Sequence, residues 1–126
     1  MDINNIFDLL EETPVDEKIG IKLIKLTGNR AISVYAGQVA PKTELRAHYH
    51  LEGIETYQIL SGEGLMKVGH RKGEGIDWNS FQVKAGDCFS VQEGEVHQII
   101  NESDSERLLT IFCCPESHTT HDRHFI

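Results

Sequence analysis

The chain has 126 residues, with 20 acidic and 12 basic side chains and a formal net charge of −8. That length accommodates one domain with a single hydrophobic core, and the acidic balance argues against nucleic acid or an anionic membrane surface as partner, because phosphate groups are bound by clustered Lys and Arg. No apolar run approaches the roughly 20 residues that span a bilayer.

The start of the chain and its cysteines predict a cytoplasmic protein. The first residues lack the basic and apolar regions of a signal peptide. Cys88, Cys113 and Cys114 form an odd set without C-x-x-C spacing, and adjacent cysteines rarely pair with each other. We therefore expect reduced, packed thiols rather than a redox site.

Residues 2–12 are predicted to form a short helix. Asp2 is placed to cap it, and Pro14 follows its end. Its apolar side chains recur with a period of about 3.6 residues: Ile3, Ile6, Phe7 and Leu10. This stripe is expected to pack against the outside of the remaining domain or against a second subunit.

From residue 21 onward the apolar period changes to two, which is typical of β-strands. The predicted strands are 21–26, 31–39, 45–51, 56–60, 65–68, 80–84, 88–91, 96–100 and 107–113. A hairpin is expected around 61–64, and the polar, glycine-rich stretch 69–79 is expected to be a surface loop around a hairpin. Many short strands after a single helix predict an all-β barrel or sandwich.

Two histidines lie two residues apart on the predicted strand 45–51. His48 and His50 are therefore expected to point to the same face of that strand. Glu55 follows after Gly53, where the chain can bend into the next strand. Two imidazoles and a carboxylate on neighbouring strands suit a borderline divalent metal ion.

His97 offers a third imidazole, because it follows a turn at Gly94 and lies at the start of another predicted strand. For any one of these residues alone, a hydrogen-bonded core side chain is the simpler interpretation. Burial of all of them without a metal ion or hydrogen bonds would cost several kcal/mol, in rough terms. We therefore predict one divalent transition metal ion (Fe, Mn, Ni, Co, Cu or Zn), held by four ligands: His48, His50, Glu55 and His97.

These stretches resemble the two motifs of the cupin superfamily, G-x5-H-x-H-x3,4-E-x6-G and G-x5-P-x-G-x2-H-x3-N. The residues that match the first motif are His48, His50, Glu55 and Gly62. Those that match the second motif are Gly86, Gly94, His97 and Asn101. Lys42 replaces the first glycine of the first motif, and Gln92 replaces the proline of the second.

The resemblance implies a small single-domain cupin with a jelly-roll barrel, also called a double-stranded β-helix. We expect one domain over 1–126, with a helical arm at 1–20, the barrel at 21–114 and an ordered tail at 115–126. The tail contains His118, His121 and His124. A polar tail is the simpler interpretation of these three histidines, and a second metal site is the alternative.

Three further predictions concern the surroundings of the metal ligands. Arg46 is expected on the histidine side of its strand, either as a fork for a substrate carboxylate or phosphate or as an exposed, paired arginine. Tyr57 is expected to share the face of Glu55, either as a proton donor or as a core tyrosine; these two are the candidate catalytic residues. Alternation places Leu45, Ala47, Tyr49 and Leu51 on the opposite face, where a second sheet, the N-terminal helix or a dimer interface would cover them, and we expect a homodimer.

The leading functional hypothesis is a metal-dependent enzyme that acts on a small polar, anionic or carbonyl-bearing molecule. The resemblance implies dioxygenases, isomerases, epimerases, decarboxylases and non-catalytic binders, and fold alone does not choose among them. Dioxygenase chemistry ranks ahead of isomerisation, because no second carboxylate or lysine base is evident on the metal face. The alternative is a non-catalytic cupin that binds a sugar or an effector.

Overall fold

The computed structural model describes residues 1–126 and contains one α-helix, α1 (Ile6–Glu12), twelve β-strands and a short 3-10 helix (Glu116–Thr119). The first six strands are β1 (Val15–Asp16), β2 (Ile21–Gly28), β3 (Ser33–Val39), β4 (Thr43–Glu44), β5 (His48–Tyr49) and β6 (Glu55–Ser61). The other six are β7 (Glu63–Lys72), β8 (Gly75–Lys84), β9 (Cys88–Val91), β10 (Val96–Asn101), β11 (Leu108–Cys114) and β12 (His124–Phe125).

Two sheets form the domain. The strand order of the first sheet is β1-β2-β3-β11-β6-β9, that of the second is β12-β5-β10-β7-β8, and β4 also pairs with β10. The main core cluster combines apolar side chains from both sheets, among them Ile21, Ile59, Met66, Ile99 and Phe112. This two-sheet jelly roll confirms the predicted all-β fold with a short N-terminal helix.

Helix α1 begins at Ile6 rather than at residue 2. The side chain of Asn5, and not that of Asp2, accepts the free N–H groups of Phe7 at 2.9 Å and Asp8 at 3.1 Å, which fixes the first turn. No helix of the protein has the length and apolarity needed to cross a membrane.

The apolar stripe of α1 packs only in part, on the outer face of the first sheet. Leu10 is buried with Ala36 of β3 and Leu109 of β11, in a cluster separate from the main core. Ile3 and Phe7 remain exposed. The predicted arm at 1–20 also contributes β1, which pairs with β2.

The stretch between β6 and β8 differs from its prediction. The expected hairpin at 61–64 is wrong, because β6 pairs with β9 and β11 in the first sheet, whereas β7 pairs with β8 and β10 in the second. The chain therefore passes from one sheet to the other at Gly62. The stretch 69–79 forms a regular hairpin itself, since β7 and β8 pair as far as Lys72 and Gly75.

The predicted strand 45–51 is interrupted at 45–47, between β4 and β5. At the break, the N–H of Leu45 donates to the carbonyl of Ile99 and the N–H of Arg46 donates to that of Ile19, both at 2.9 Å. Leu45 is consequently buried in the main core with the histidines, and its predicted position on the opposite face is wrong. Simple alternation fails here because the backbone does not stay extended.

Replacement of Gly62 by alanine should destabilise the fold through a backbone collision. Gly62 has a φ of 86°, and a Cβ atom there would meet the main-chain oxygen of Arg107, so we expect a loss of about 2–3 kcal/mol in the free energy of unfolding. Gly73→Ala is the matched control, because its φ of 62° is also positive but its Cβ would face open space; about 1 kcal/mol should be lost. Equal losses in urea unfolding would contradict this explanation.

Candidate metal centre

The four predicted ligands converge between the two sheets. Their ligand atoms all lie within 4.8 Å of one another, and all four residues are buried. His97 of β10 lies directly opposite His48 of β5 in the antiparallel register, so the two imidazoles start from neighbouring backbone positions. Glu55 enters from the first strand residue of β6, in the other sheet, and His50 from the turn after β5. The structure thus brings together every residue of the predicted ligand set.

Each of the three histidines turns its Nδ1 atom toward a main-chain carbonyl oxygen. These contacts are 2.7 Å from His48 to Arg46, 2.6 Å from His50 to Asp122 and 3.1 Å from His97 to Glu95. A carbonyl oxygen only accepts hydrogen bonds, so Nδ1 is assigned as the protonated nitrogen in each ring. The Nε2 atoms are then the ones available for a metal ion, in the arrangement that metal-bound histidines commonly show.

Two of the three Nε2 atoms face a carboxylate oxygen, and this contact requires positive charge. Glu55 Oε2 lies 3.0 Å from Nε2 of His97 and 3.2 Å from Nε2 of His50. Nε2 of His50 is buried and has no hydrogen-bond partner. The lone pairs of two unprotonated Nε2 atoms would repel the negatively charged carboxylate. Either an additional proton on an imidazole or a bound cation must therefore be present. The donor set of three nitrogens and one oxygen therefore fits a divalent transition metal ion.

His48 is suited to bind a cation because it stays neutral. The pKa of His48 is lowered to about 3, mainly by burial and next by the neighbouring His97, and the hydrogen bond to the Arg46 carbonyl offsets only part of this effect. Burial also raises the pKa of the Cys114 thiol, which lies close to Glu55. Cys114 therefore stays protonated beside the four-residue site and is no competing thiolate ligand.

Three of the four side chains, those of His48, His50 and Glu55, line a small, mostly apolar cavity of about 30 Å³. This space holds roughly two to three water-sized groups. Its apolar wall includes Ile19, Ile21, Leu23, Leu45 and Phe112. The tail contributes His118, Thr119 and Arg123 to the same wall. A molecule bound here would be small and largely shielded from solvent.

Tyr57 lies in the cavity wall, but its hydroxyl is buried without a hydrogen-bond partner. Burial raises the pKa of Tyr57 well above its usual value, and the charge of Glu55 raises it further. The phenol is therefore protonated at neutral pH, as a proton donor must be, and its catalytic role stays a prediction.

Arg46 is exposed and does not line the cavity. Its guanidinium carbon lies 4.1 Å from the ring centre of Phe125, a cation–π contact. The role of Arg46 in substrate binding stays a prediction.

Arg123, which no sequence motif indicated, is the arginine in the cavity wall. Its side chain is only 13% exposed, and its guanidinium lies 4.0 Å from the Asp16 carboxylate.

The three tail histidines do not converge on one another, but the ligand atoms of His118, Glu55 and Cys114 lie within 4.8 Å of one another. The choice between a polar tail and a second metal site stays a prediction. His121 is exposed, and Nε2 of His124 donates to the Asp122 carboxylate at 3.0 Å. His118, by contrast, is buried and stacks on the ring of His50 with centroids 3.9 Å apart. Asp122 was missed altogether, since a lone aspartate in a polar tail carries no periodic or motif signal.

Comparisons with known proteins agree with the fold. The family model described as "Cupin domain" matches residues 37–112. An uncharacterized protein of Aquifex aeolicus is 33% identical over 114 residues, which cover 88% of this chain and 83% of that protein.

Two solved structures illustrate the likeness in fold. A conserved protein with a double-stranded β-helix domain, from Klebsiella pneumoniae, is 19% identical with a TM-score of 0.69, over 91% of this chain and 90% of that one. Oxalate decarboxylase of Bacillus subtilis, an enzyme with Mn(II) centres, is 24% identical with a TM-score of 0.68. That match covers 87% of this chain but only 29% of the decarboxylase.

Proposed function

The chain belongs to the cupin family, and from this premise we propose that it is a metal-dependent enzyme acting on a small anionic or carbonyl-bearing molecule. The resemblance drawn from the two motifs is confirmed by the family match over residues 37–112. The observation that carries the proposal is the contact of two imidazole Nε2 atoms with the Glu55 carboxylate at 3.0 and 3.2 Å. A bound cation satisfies all three groups at once.

In this proposal His48, His50, Glu55 and His97 hold one ion, and Mn(II) and Fe(II) are the first ions to test. The Mn(II) centres of a protein with the same fold support that order. When bound, the ion would supply Lewis acidity and redox chemistry. The chain itself supplies the apolar wall, which excludes water, and the cation of Arg123, which can orient a carboxylate.

Oxidation by O2 is the reaction class that the cavity supports best. Isomerisation needs an accessible acid or base, and the cavity wall offers none that is free. The carboxylate of Glu55 faces the imidazoles, while the Tyr57 hydroxyl and Nδ1 of His118 are both shielded from water-sized molecules. The competing class stays a non-catalytic cupin, which would saturate with a ligand without consuming it.

Decarboxylation of a small dicarboxylate is a second candidate reaction. The cavity of about 30 Å³ admits only a few atoms, and Arg123 is the one arginine in its wall. Oxalate decarboxylase shares the fold. The two reactions differ in their products, because oxidation consumes O2 in proportion to turnover whereas decarboxylation releases CO2 without net consumption of O2.

The test is turnover of a panel of two- to four-carbon acids by protein loaded with Fe(II) or Mn(II). O2 uptake and CO2 release are the quantities measured. Metal-dependent consumption of a panel member would support an enzyme. Stoichiometric binding without consumption of any acid would contradict it and favour the non-catalytic binder.

Arg123→Gln should raise the KM of a carboxylate substrate about 10–100-fold and change kcat less, because the lost charge-assisted hydrogen bond serves binding. Arg30→Gln is the matched control, since Arg30 is exposed and does not line the cavity. An unchanged KM in the Arg123 variant would contradict a role for this residue in carboxylate binding.

The homodimer and the cytoplasmic location stay predictions. Exposed apolar side chains support an interface: Ile3, Phe7, Ile32, Leu51 and Phe81. Light scattering of the purified protein would measure the mass, and a monomer at micromolar concentration would contradict the dimer.

A further inference from the structure

Asp122 joins the C-terminal segment, residues 115–125, to the loop that carries His50. Its main-chain carbonyl oxygen accepts the hydrogen bond from Nδ1 of His50 at 2.6 Å. Its two carboxylate oxygens accept the N–H groups of Leu51 and Glu52, each at 2.9 Å. Asp122 is only 6% exposed although it carries a carboxylate. One residue thus holds both an imidazole and the backbone that follows it.

The other two histidines are oriented by main-chain groups just before them in the chain. The Nδ1 partners of His48 and His97 are the carbonyls of Arg46 and Glu95, each two residues earlier in the chain. His50 depends instead on a residue 72 positions away. Its orientation is therefore the one that requires the C-terminal segment to be docked.

Further contacts hold the C-terminal segment on this loop. Nε2 of His118 donates to the carbonyl of Glu52 at 2.6 Å, and its ring is nearly parallel to that of His50, with an angle of 3° between the planes. Within the segment, the N–H of Asp122 donates to the carbonyl of Ser117 at 2.9 Å. The imidazole of His124 donates to the Asp122 carboxylate at 3.0 Å. The segment docks as a folded unit.

We propose that Asp122 is a positioning residue of the metal centre, which fixes the direction of His50 Nε2 through the docked C-terminal segment. The inference rests on the proposed function in one respect, namely that His50 binds the ion. A hydrogen bond to Nδ1 sets both the tautomer and the rotation of a histidine ring. Because the carboxylate of Asp122 keeps its own carbonyl in place against the loop, the side chain acts on the ring through the backbone.

Docking of the segment and binding of the ion should consequently stabilise each other. If the docked segment increases the affinity for the ion, the bound ion must stabilise docking by the same factor. Amide hydrogen exchange in residues 117–122 should therefore slow when Co²⁺ is added to the unsubstituted protein.

Asp122→Ala tests the proposal with Co²⁺ as the probe, because its visible absorption reports on ligand geometry. We expect the dissociation constant to increase about 10–100-fold, the usual range for loss of a group that orients a ligand, together with a changed absorption spectrum. Asp122→Asn retains one acceptor oxygen and should give an intermediate value. Asp87→Ala is the matched control, since this carboxylate also accepts a main-chain N–H, from Lys84 at 2.8 Å, but lies outside the cavity.

The outcomes separate this inference from the proposed function. If the unsubstituted protein binds Co²⁺ and the Asp122 variants bind it with the same constant and spectrum, the positioning role is overturned while the metal site stands. An unsubstituted protein that binds no ion contradicts the metal site itself. If Asp122→Ala does not fold, the inference is tested by Asp122→Asn and by the hydrogen-exchange measurement. An exchange rate in residues 117–122 that does not change when Co²⁺ is added would overturn the inference.

Discussion

The double substitution His48→Ala/His97→Ala should abolish stoichiometric metal binding. It removes two of the three nitrogen donors, which lie opposite each other on β5 and β10. Loss of a group that only orients a ligand costs about 10–100-fold in affinity, so loss of two ligands should cost well over 100-fold. Elemental analysis of protein purified without added metal should show near-stoichiometric ion in the unsubstituted chain and none in the variant.

His70→Ala/His121→Ala is the matched control, because both histidines are exposed and outside the cluster. It should retain the ion in full. Zinc in place of iron, manganese, nickel or copper would still support the site but would redirect the substrate search toward isomerisation or hydrolysis. An unsubstituted chain that is purified without metal and binds none on titration would contradict the four-ligand site.

The ligands could be predicted from the sequence because local geometry determines them. His48 and His50 converge as expected from a spacing of two, and His97 and Glu55 follow turns that start new strands. The same alternation failed at Leu45, three residues before His48. There the chain leaves the extended conformation to bond with Ile99, and no local pattern signals this.

The contacts between the C-terminal segment and the loop that carries His50 could not be predicted, because they join parts of the chain that are far apart in sequence. Asp122 and His118 reach the loop after His50 across 66 to 72 residues. Arg123 enters the cavity wall from the same segment. A spacing of three among His118, His121 and His124 says nothing about which of them is buried. Which of them is buried depends on how the C-terminal segment docks on the loop that carries His50.

Acidification should destabilise the metal-free protein through His48. Its pKa is about 3 in the folded state and about 6.5 in the unfolded state, so the unfolded chain binds more protons between these two values. The stabilising contribution of the neutral ring is therefore complete above pH 6.5 and is lost as the pH falls toward 3. Between pH 7.5 and pH 5 we expect a loss of about 2 kcal/mol in the free energy of unfolding from this residue.

Urea unfolding of protein stripped with a chelator, at several pH values in this window, measures the effect. His48→Gln should unfold with a pH dependence smaller by the same amount, about 2 kcal/mol, because glutamine does not titrate. His121→Gln is the matched control and should keep the slope of the unsubstituted chain, since His121 is exposed. Burial also lowers the pKa of His118, which acts in the same direction but is unchanged in both variants. Identical slopes in all three proteins would show that folding does not lower the pKa of His48 and would contradict this prediction.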